Sequence, residues 1–383
     1  MATSTNTVDP VLLNIILDDF ILYNEDLFTL MNDTLYYDYR NIKLSVWAHT
    51  WNALNYLYSS FSLYTIHDLT IELELAILFH DIGRCFGKGK TPFPLTIQEN
   101  GDPTENNNYA SLMIYDILKK MRYLNTGVNV QKVIELVNQY VKFYNSFNID
   151  AYSTISAQAK QNLMKLFVKD TQLYKDMMLM TKCITYCEPI MNRNMLNAIR
   201  QKDMIVESIF EQSRKYAQSD INKEYVLKFI MLIGLPGSGK TTFRNNLLSM
   251  DNRYKVLSFD DLIEEECKRK NETYDQVFNE DKNHLIKKFN MNVKKLLNDK
   301  ENIICDCTNL SIQSRSKKLS QVGNSYYKKA YVFILSLDEI IKRNEERSRK
   351  EHKTINQNTL YKMCDRFEVP TYLEFDEIEY IIG

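Results

Sequence analysis

The run Gly234-Leu-Pro-Gly-Ser-Gly-Lys-Thr-Thr242, directly after an apolar stretch at 226–233 and before a helical pattern, constrains this chain more than any other feature. A glycine-rich turn between a buried strand and a helix is the Walker A pattern in the context that gives it meaning. Gly234, Gly237, Ser238 and Gly239 form a loop whose backbone amides turn inward around a polyphosphate, and the next helix points its positive end at the same place. Lys240 is expected to neutralise oxygens of the β and γ phosphates, and the Thr241 hydroxyl to hold magnesium. Thr242 joins the same nucleotide-binding set, although packing at a helix start is the preferred explanation for it. ATP with Mg2+ is the expected ligand.

The surrounding grammar agrees with that loop. Short apolar runs at 226–233, 254–258, 302–305, 330–335 and 378–382 alternate with helical segments, which predicts a parallel sheet covered on both faces. Open sheets of this kind bind ligands at the carboxyl ends of their strands. The second run ends in Ser258-Phe-Asp-Asp261, where a carboxylate can take a proton from an attacking hydroxyl. Asp260 is the candidate, and Asp261 is explained about as well by the helix dipole. The third run delivers Asp306-Cys-Thr-Asn309 with Arg315 beyond it, a set suited to metal, nucleotide and phosphate contacts. Behind the fourth run, Arg343 and Arg347 stand one helical turn apart and project from one face, as in a lid that brings positive charge to a transferring phosphoryl group.

Residues 1–217 read differently, almost wholly as helix, with apolar positions at three-and-four spacing over 11–30, 44–58, 71–81, 109–121, 130–144, 156–186 and 194–217. No strand is expected there, and the Gly-, Pro- and Asn-rich stretch 87–108 reads as a loop. At 383 residues the chain is long enough for two cores. The expected organisation is a helical domain over 1–217, a linker over 218–224 and an α/β domain over 225–383. Basic and acidic residues balance at 48 against 49, so no global field draws the chain to nucleic acid or an anionic membrane. The polar start lacks a basic stretch followed by a long apolar one, so neither signal peptide nor anchor is expected, and the cytoplasm, of the host cell if phage-encoded, is the expected compartment. Seven scattered cysteines form no paired zinc motif and read as reduced thiols. In the helical part, His80-Asp81 ends an apolar run with His49 on the preceding helix. Adjacent His and Asp with another His suit a divalent transition ion, manganese, nickel, cobalt or zinc.

Two resemblances emerge from these residues. GLPGSGKTT, the aspartate of SFDD, DCTN followed by Arg315, and RNEER stand in the order found in phage and bacterial 5′-hydroxyl polynucleotide kinases, over about 150 residues. That resemblance implies that Asp260 is the general base on a 5′-hydroxyl and that Arg343 and Arg347 touch ATP phosphates. Asp306, Asn309 and Arg315 become the expected substrate contacts. One departure stands out: Ile263 occupies the place where the family carries an arginine for the acceptor's phosphate. The run Leu73 to Gly83 with His49 resembles the HD phosphohydrolase superfamily, which implies Asp170, in LFVKDTQLYKDM, as the distant fourth ligand of a His49, His80, Asp81, Asp170 metal site. No histidine lies between Asp81 and Lys223, which excludes a His-rich two-metal arrangement. Together the two resemble fused end-healing enzymes, implying RNA or DNA ends as substrates, 5′ phosphorylation, removal of a 2′,3′-cyclic or terminal phosphate, and a ligase acting afterwards. A kinase for a nucleoside or other small molecule with a degenerate helical domain, and an end-binding protein, are the alternatives.

Overall fold

The computed structural model describes residues 10–37, 43–60, 70–85, 108–144, 157–187, scattered positions between 197 and 213, and 227–383 apart from 281 and 352–354. The chain divides into two compact units, Met1–Asn222 and Lys223–Gly383. The expected helix at 194–217, the loop at 87–108 and the expected linker lie wholly or largely outside the described residues.

The first unit is helical: α1 (Pro10–Tyr23), α2 (Glu25–Asp33), α3 (Val46–Ser60), α4 (Ile71–Phe79), α5 (Asn108–Lys120), α6 (Val130–Tyr144), α7 (Ala157–Lys169) and α8 (Thr171–Tyr186). Two expected helices are each broken in two. Asn24, at φ −134°, interrupts the stretch 11–30. Asp170, at φ −147°, interrupts 156–186, and its carboxylate accepts a hydrogen bond from Leu173 N at 2.8 Å. A strand pair absent from the sequence reading, β1 (Leu35–Tyr37) with β2 (Lys43–Ser45), runs antiparallel before α3 and moves that helix's start from 44 to Val46. α4 is the central element. Every residue from Leu73 to Phe79 is buried, including Glu74, whose carboxylate accepts a hydrogen bond from the Tyr58 hydroxyl at 2.7 Å. Thr70 caps it through Leu73 N. Phe20 of α1 stacks on Trp47 of α3 at 6.2 Å and tilts against Phe79 at 6.1 Å, fixing α3 beside α4.

The second unit carries the expected parallel sheet, in the order β4-β5-β3-β6-β7. Its strands are β3 (Leu227–Ile233), β4 (Tyr254–Ser258), β5 (Asn302–Asp306), β6 (Tyr326–Ile334) and β7 (Glu377–Ile382). The intervening helices are α9 (Lys240–Met250), α10 (Phe259–Lys270), α11 (Tyr274–Glu280), α12 (Lys282–Asn298), α13 (Ile312–Leu319), α14 (Leu337–Glu351) and α15 (Gln357–Asp365). On one face Ile230, Leu232, Ile304, Tyr331 and Phe333 form a buried cluster against Phe243 and Leu247 of α9. The register sets Leu232 beside Asp306 and Asp306 beside Ser258, so three strands end at one level and hand over their loops together. Among the described residues no helix is long and apolar enough to cross a membrane.

Candidate functional site

The loop between β3 and α9 is shaped by its glycines. Gly237 and Gly239 have φ of +81° and +95°, a region that strains residues with a Cβ. Gly234 packs so closely on β6 that a Cβ there would lie 2.9 Å from Phe333 Cβ. The ammonium of Lys240, first residue of α9, is buried and donates to the carbonyls of Gly234 (3.0 Å) and Leu235 (2.8 Å). Burial pulls its pKa down to about 8, with Asp306 and Asp260 opposing. Ser238 Oγ is buried and has no hydrogen-bond partner among the described residues. A buried hydroxyl lacking a partner beside a lysine and a helix N-terminus fits an anionic ligand such as a phosphate chain.

Thr241 donates through Oγ1 to Asp306 Oδ2 at 3.3 Å, which brings a hydroxyl and a carboxylate together as a P-loop magnesium site requires. Burial raises the pKa of Asp306, while Lys240 and Arg244 pull it back. Arg244, one turn along α9 from Lys240, bridges Asp306 (3.2 Å) and Asp261 (2.8 Å). Ser258 is the cap of α10, its Oγ accepting from Asp261 N, and this sets both aspartates in the first turn. Asp260 is more than half exposed and its Oδ2 lies 3.9 Å from Arg347 Nη2. α14 is joined to the loop by Asn344, whose amide donates to Pro236 O at 2.9 Å, and by Arg343, whose Nη1 lies 3.5 Å from Gly237 O. Thr242 is exposed on α9.

Two expected substrate contacts are corrected by their surroundings. Arg315 is fully buried. Its guanidinium donates to both carboxylate oxygens of Glu374 (2.7 and 3.1 Å) and to the carbonyls of Asn309, Leu310 and Glu368. Asn309 is buried at φ +49°, donates to Leu232 O and accepts from Lys318. Both are frame residues that clamp the end of β5, turned inward and engaged within the protein rather than presented to a substrate. Ile263, where an arginine would be expected from the resemblance, is also fully buried.

In the helical unit, ligand atoms of His49, His80 and Asp81 lie within 4.8 Å of one another, all buried. His80 Nδ1 sits 2.7 Å from Ile77 O, a contact that requires Nδ1 to carry the proton and leaves Nε2 with its lone pair. That Nε2 is buried without a hydrogen-bond partner among the described residues, as a ligand atom for a metal would be. Burial lowers the pKa of His80. Burial also pushes that of Asp81 up, but Arg84, whose Nε lies 2.9 Å away, and the two histidines outweigh it and hold Asp81 ionised. A neutral His80 and an ionised Asp81 are protonation states a metal needs of its ligands. Asp170 is outside the cluster. It is exposed at the start of α8 and serves as that helix's cap. The sequence holds another His-Asp dipeptide, His67-Asp68, and two lysines shortly after the first, Lys88 and Lys90; all four lie outside the described residues.

Residue patterns alone left three participants unnoticed: Arg244, Asn344 and Tyr274, whose hydroxyl donates to Asp260 Oδ1 at 2.8 Å. Arg244 follows Lys240 by four and Asn344 follows Arg343 by one, spacings that were available as signals. Tyr274 offers none, being fourteen residues from its partner.

Residues 229–370 match a family model described as "AAA domain". A solved structure entitled "Structure of the Pnkp1/Rnl/Hen1 RNA repair complex" contains a chain 23% identical over 38% of this chain and 45% of its own, with a TM-score of 0.32. A second, "Structure of Pnkp1/Rnl/Hen1 complex", gives 24% identity over 32% and 41%, with a TM-score of 0.27. This chain therefore spans less than half the length of either.

Proposed function

We propose that the second unit is an ATP-dependent kinase for 5′-hydroxyl ends of RNA or DNA, and that the first is a metal-dependent phosphohydrolase for 2′,3′-cyclic or terminal 2′/3′ phosphates. The observation that carries the kinase reading is the meeting of Asp260 and Arg347 at 3.9 Å beside the Lys240 loop. The loop amides and Lys240 hold the phosphate chain of ATP. Thr241 and Asp306 would hold the magnesium ion, which would supply neutralisation of phosphate charge. Asp260 accepts the proton of the attacking hydroxyl as its oxygen bonds to the γ phosphorus and the bond to the β–γ bridging oxygen breaks. Arg347 and Arg343 stabilise the charge on the transferring group. In the first unit His49, His80 and Asp81 are the ligands, and a transition ion held there supplies Lewis-acid chemistry for phosphoester hydrolysis. Arg84 keeps Asp81 ionised and oriented. The buried Ile263 favours a second reading, a kinase for a nucleoside or other small acceptor that has no phosphate of its own for a guanidinium to hold.

The test gives the purified chain ATP, magnesium and labelled 5′-hydroxyl RNA, 5′-hydroxyl DNA and free nucleosides. Transfer to oligonucleotide ends, lost in Lys240→Ala and Asp260→Asn, is expected; transfer to nucleosides alone establishes the second reading. The hydrolase half is tested with wild type and His80→Ala, each loaded with manganese, nickel, cobalt or zinc, on oligonucleotides ending in 2′-, 3′- or 2′,3′-cyclic phosphate. Metal bound and phosphate released by wild type alone is the expected result.

A further inference from the structure

Asp260 has two oxygens, and they face different partners. Oδ2 looks toward Arg347, whereas Oδ1 accepts a 2.8 Å hydrogen bond from the Tyr274 hydroxyl. Three local devices bring that hydroxyl back along the chain. Asn271 ends α10 in the left-handed region, at φ +57°, with its N–H bonded to Cys267 O. Thr273 and Gln276 then form a capping box: Thr273 N donates to Gln276 Oε1 at 2.9 Å and Gln276 N to Thr273 Oγ1 at 3.4 Å. The box fixes Tyr274 as the first residue of α11. Phe278, one turn further, lies nearly parallel to its ring, at 10° and 6.3 Å between centroids. The phenol is thus braced at its backbone and along its ring, and burial together with the neighbouring Asp260 pushes its pKa up, so it remains a donor.

We propose that Tyr274 is the positioning residue of the phosphoryl acceptor site, its hydroxyl holding Asp260 Oδ1 so that Oδ2 is presented to the acceptor's hydroxyl. This rests on Asp260 acting as the base in the kinase reading. An exposed aspartate at a helix start is otherwise free to rotate about χ1 and χ2, and a base that wanders loses the geometry on which proton transfer depends. The hydrogen bond of Tyr274 goes to the base itself, so its contribution is expected in turnover rather than in ATP binding. It also supplies a hydrogen bond that a hydrophobic ring of the same shape cannot.

The experiment is a kinetic cycle on the full chain with ATP, magnesium and a 5′-hydroxyl oligonucleotide: wild type, Tyr274→Phe, Asp260→Asn and the double variant. Phenylalanine keeps the ring and its stacking on Phe278, so folding is preserved. We expect Tyr274→Phe to lower kcat by about tenfold, less than the roughly 10²–10⁴-fold of the acid–base group it positions, with KM for ATP unchanged. In the Asp260→Asn background the same substitution has no further effect, because the hydroxyl acts through the carboxylate. Wild-type kcat in Tyr274→Phe, or equal losses in both backgrounds, overturns the inference while leaving the kinase reading intact. A wild-type chain that transfers phosphate to no acceptor hydroxyl overturns both.

Discussion

Replacing Arg315 by methionine separates a frame residue from a ligand contact. The substitution keeps an unbranched apolar stem but removes five hydrogen bonds, two to Glu374 and three to the carbonyls of Asn309, Leu310 and Glu368. Arg315 is fully buried, and the side chain of Glu374 is only 10% exposed, so the carboxylate is left without its cation in a poorly hydrated place. Removing one partner of such a pair costs about 3–5 kcal/mol. In a unit of this size that corresponds to a fall of roughly 10 °C in Tm. The assay exploits the placement of the only two tryptophans, Trp47 and Trp51, both in the helical unit. Tryptophan fluorescence during urea unfolding therefore follows that unit, while far-ultraviolet circular dichroism follows both. In Arg315→Met the fluorescence transition is expected to stay in place and part of the dichroism transition to move to lower urea. Adding Glu374→Gln recovers some of the loss, since the orphaned charge is gone. Unchanged unfolding by both probes, with phosphoryl transfer abolished, would falsify the frame role and return Arg315 to the substrate.

Three further outcomes are expected. Lys240, pulled down to about 8, binds fewer protons in the folded than in the unfolded chain between about 8 and its ordinary 10.5. Its effect on stability therefore rises with pH across that window, while the charge available to ATP is lost above about 8. Calorimetry from pH 7 to 9.5 should show ATP affinity falling about tenfold per unit above 8, with proton uptake on binding; a flat profile contradicts this. Arg347→Ala should lower kcat by about 10³-fold, and Arg347→Lys should not restore it, because a point charge lacks the forked donor geometry; full activity of the lysine variant shows that net charge alone mattered. Asp170→Ala should cost about 1 kcal/mol through loss of the α8 cap and Asp170→Ser almost nothing. Metal stoichiometry should be unchanged in both, and its loss in Asp170→Ser would make Asp170 a ligand.

Reading the sequence alone determined what is encoded contiguously. The phosphate loop is a string of nine residues whose glycines, lysine and threonine act through backbone geometry within one turn, so its place between strand and helix was legible before any fold was seen. The parallel sheet was legible for a similar reason, since strands buried on both faces must be apolar throughout. Helix breaks at Asn24 and Asp170 were not, because apolar spacing continues across them and the break is a change of backbone angle in one polar residue. The same carboxylate of Asp170 can ligand a metal or cap a helix, and only its exposed place at the start of α8 decides. Tertiary structure likewise decided Arg315 and Asn309. An arginine at a strand's carboxyl edge looks the same in sequence whether it faces a phosphate or, as here, a glutamate 59 residues away. It decided Tyr274 too, which reaches Asp260 only because a left-handed asparagine and a capping box reverse the chain. Burial and the partner of a charge come from long-range packing, and residue type and spacing carry no record of either.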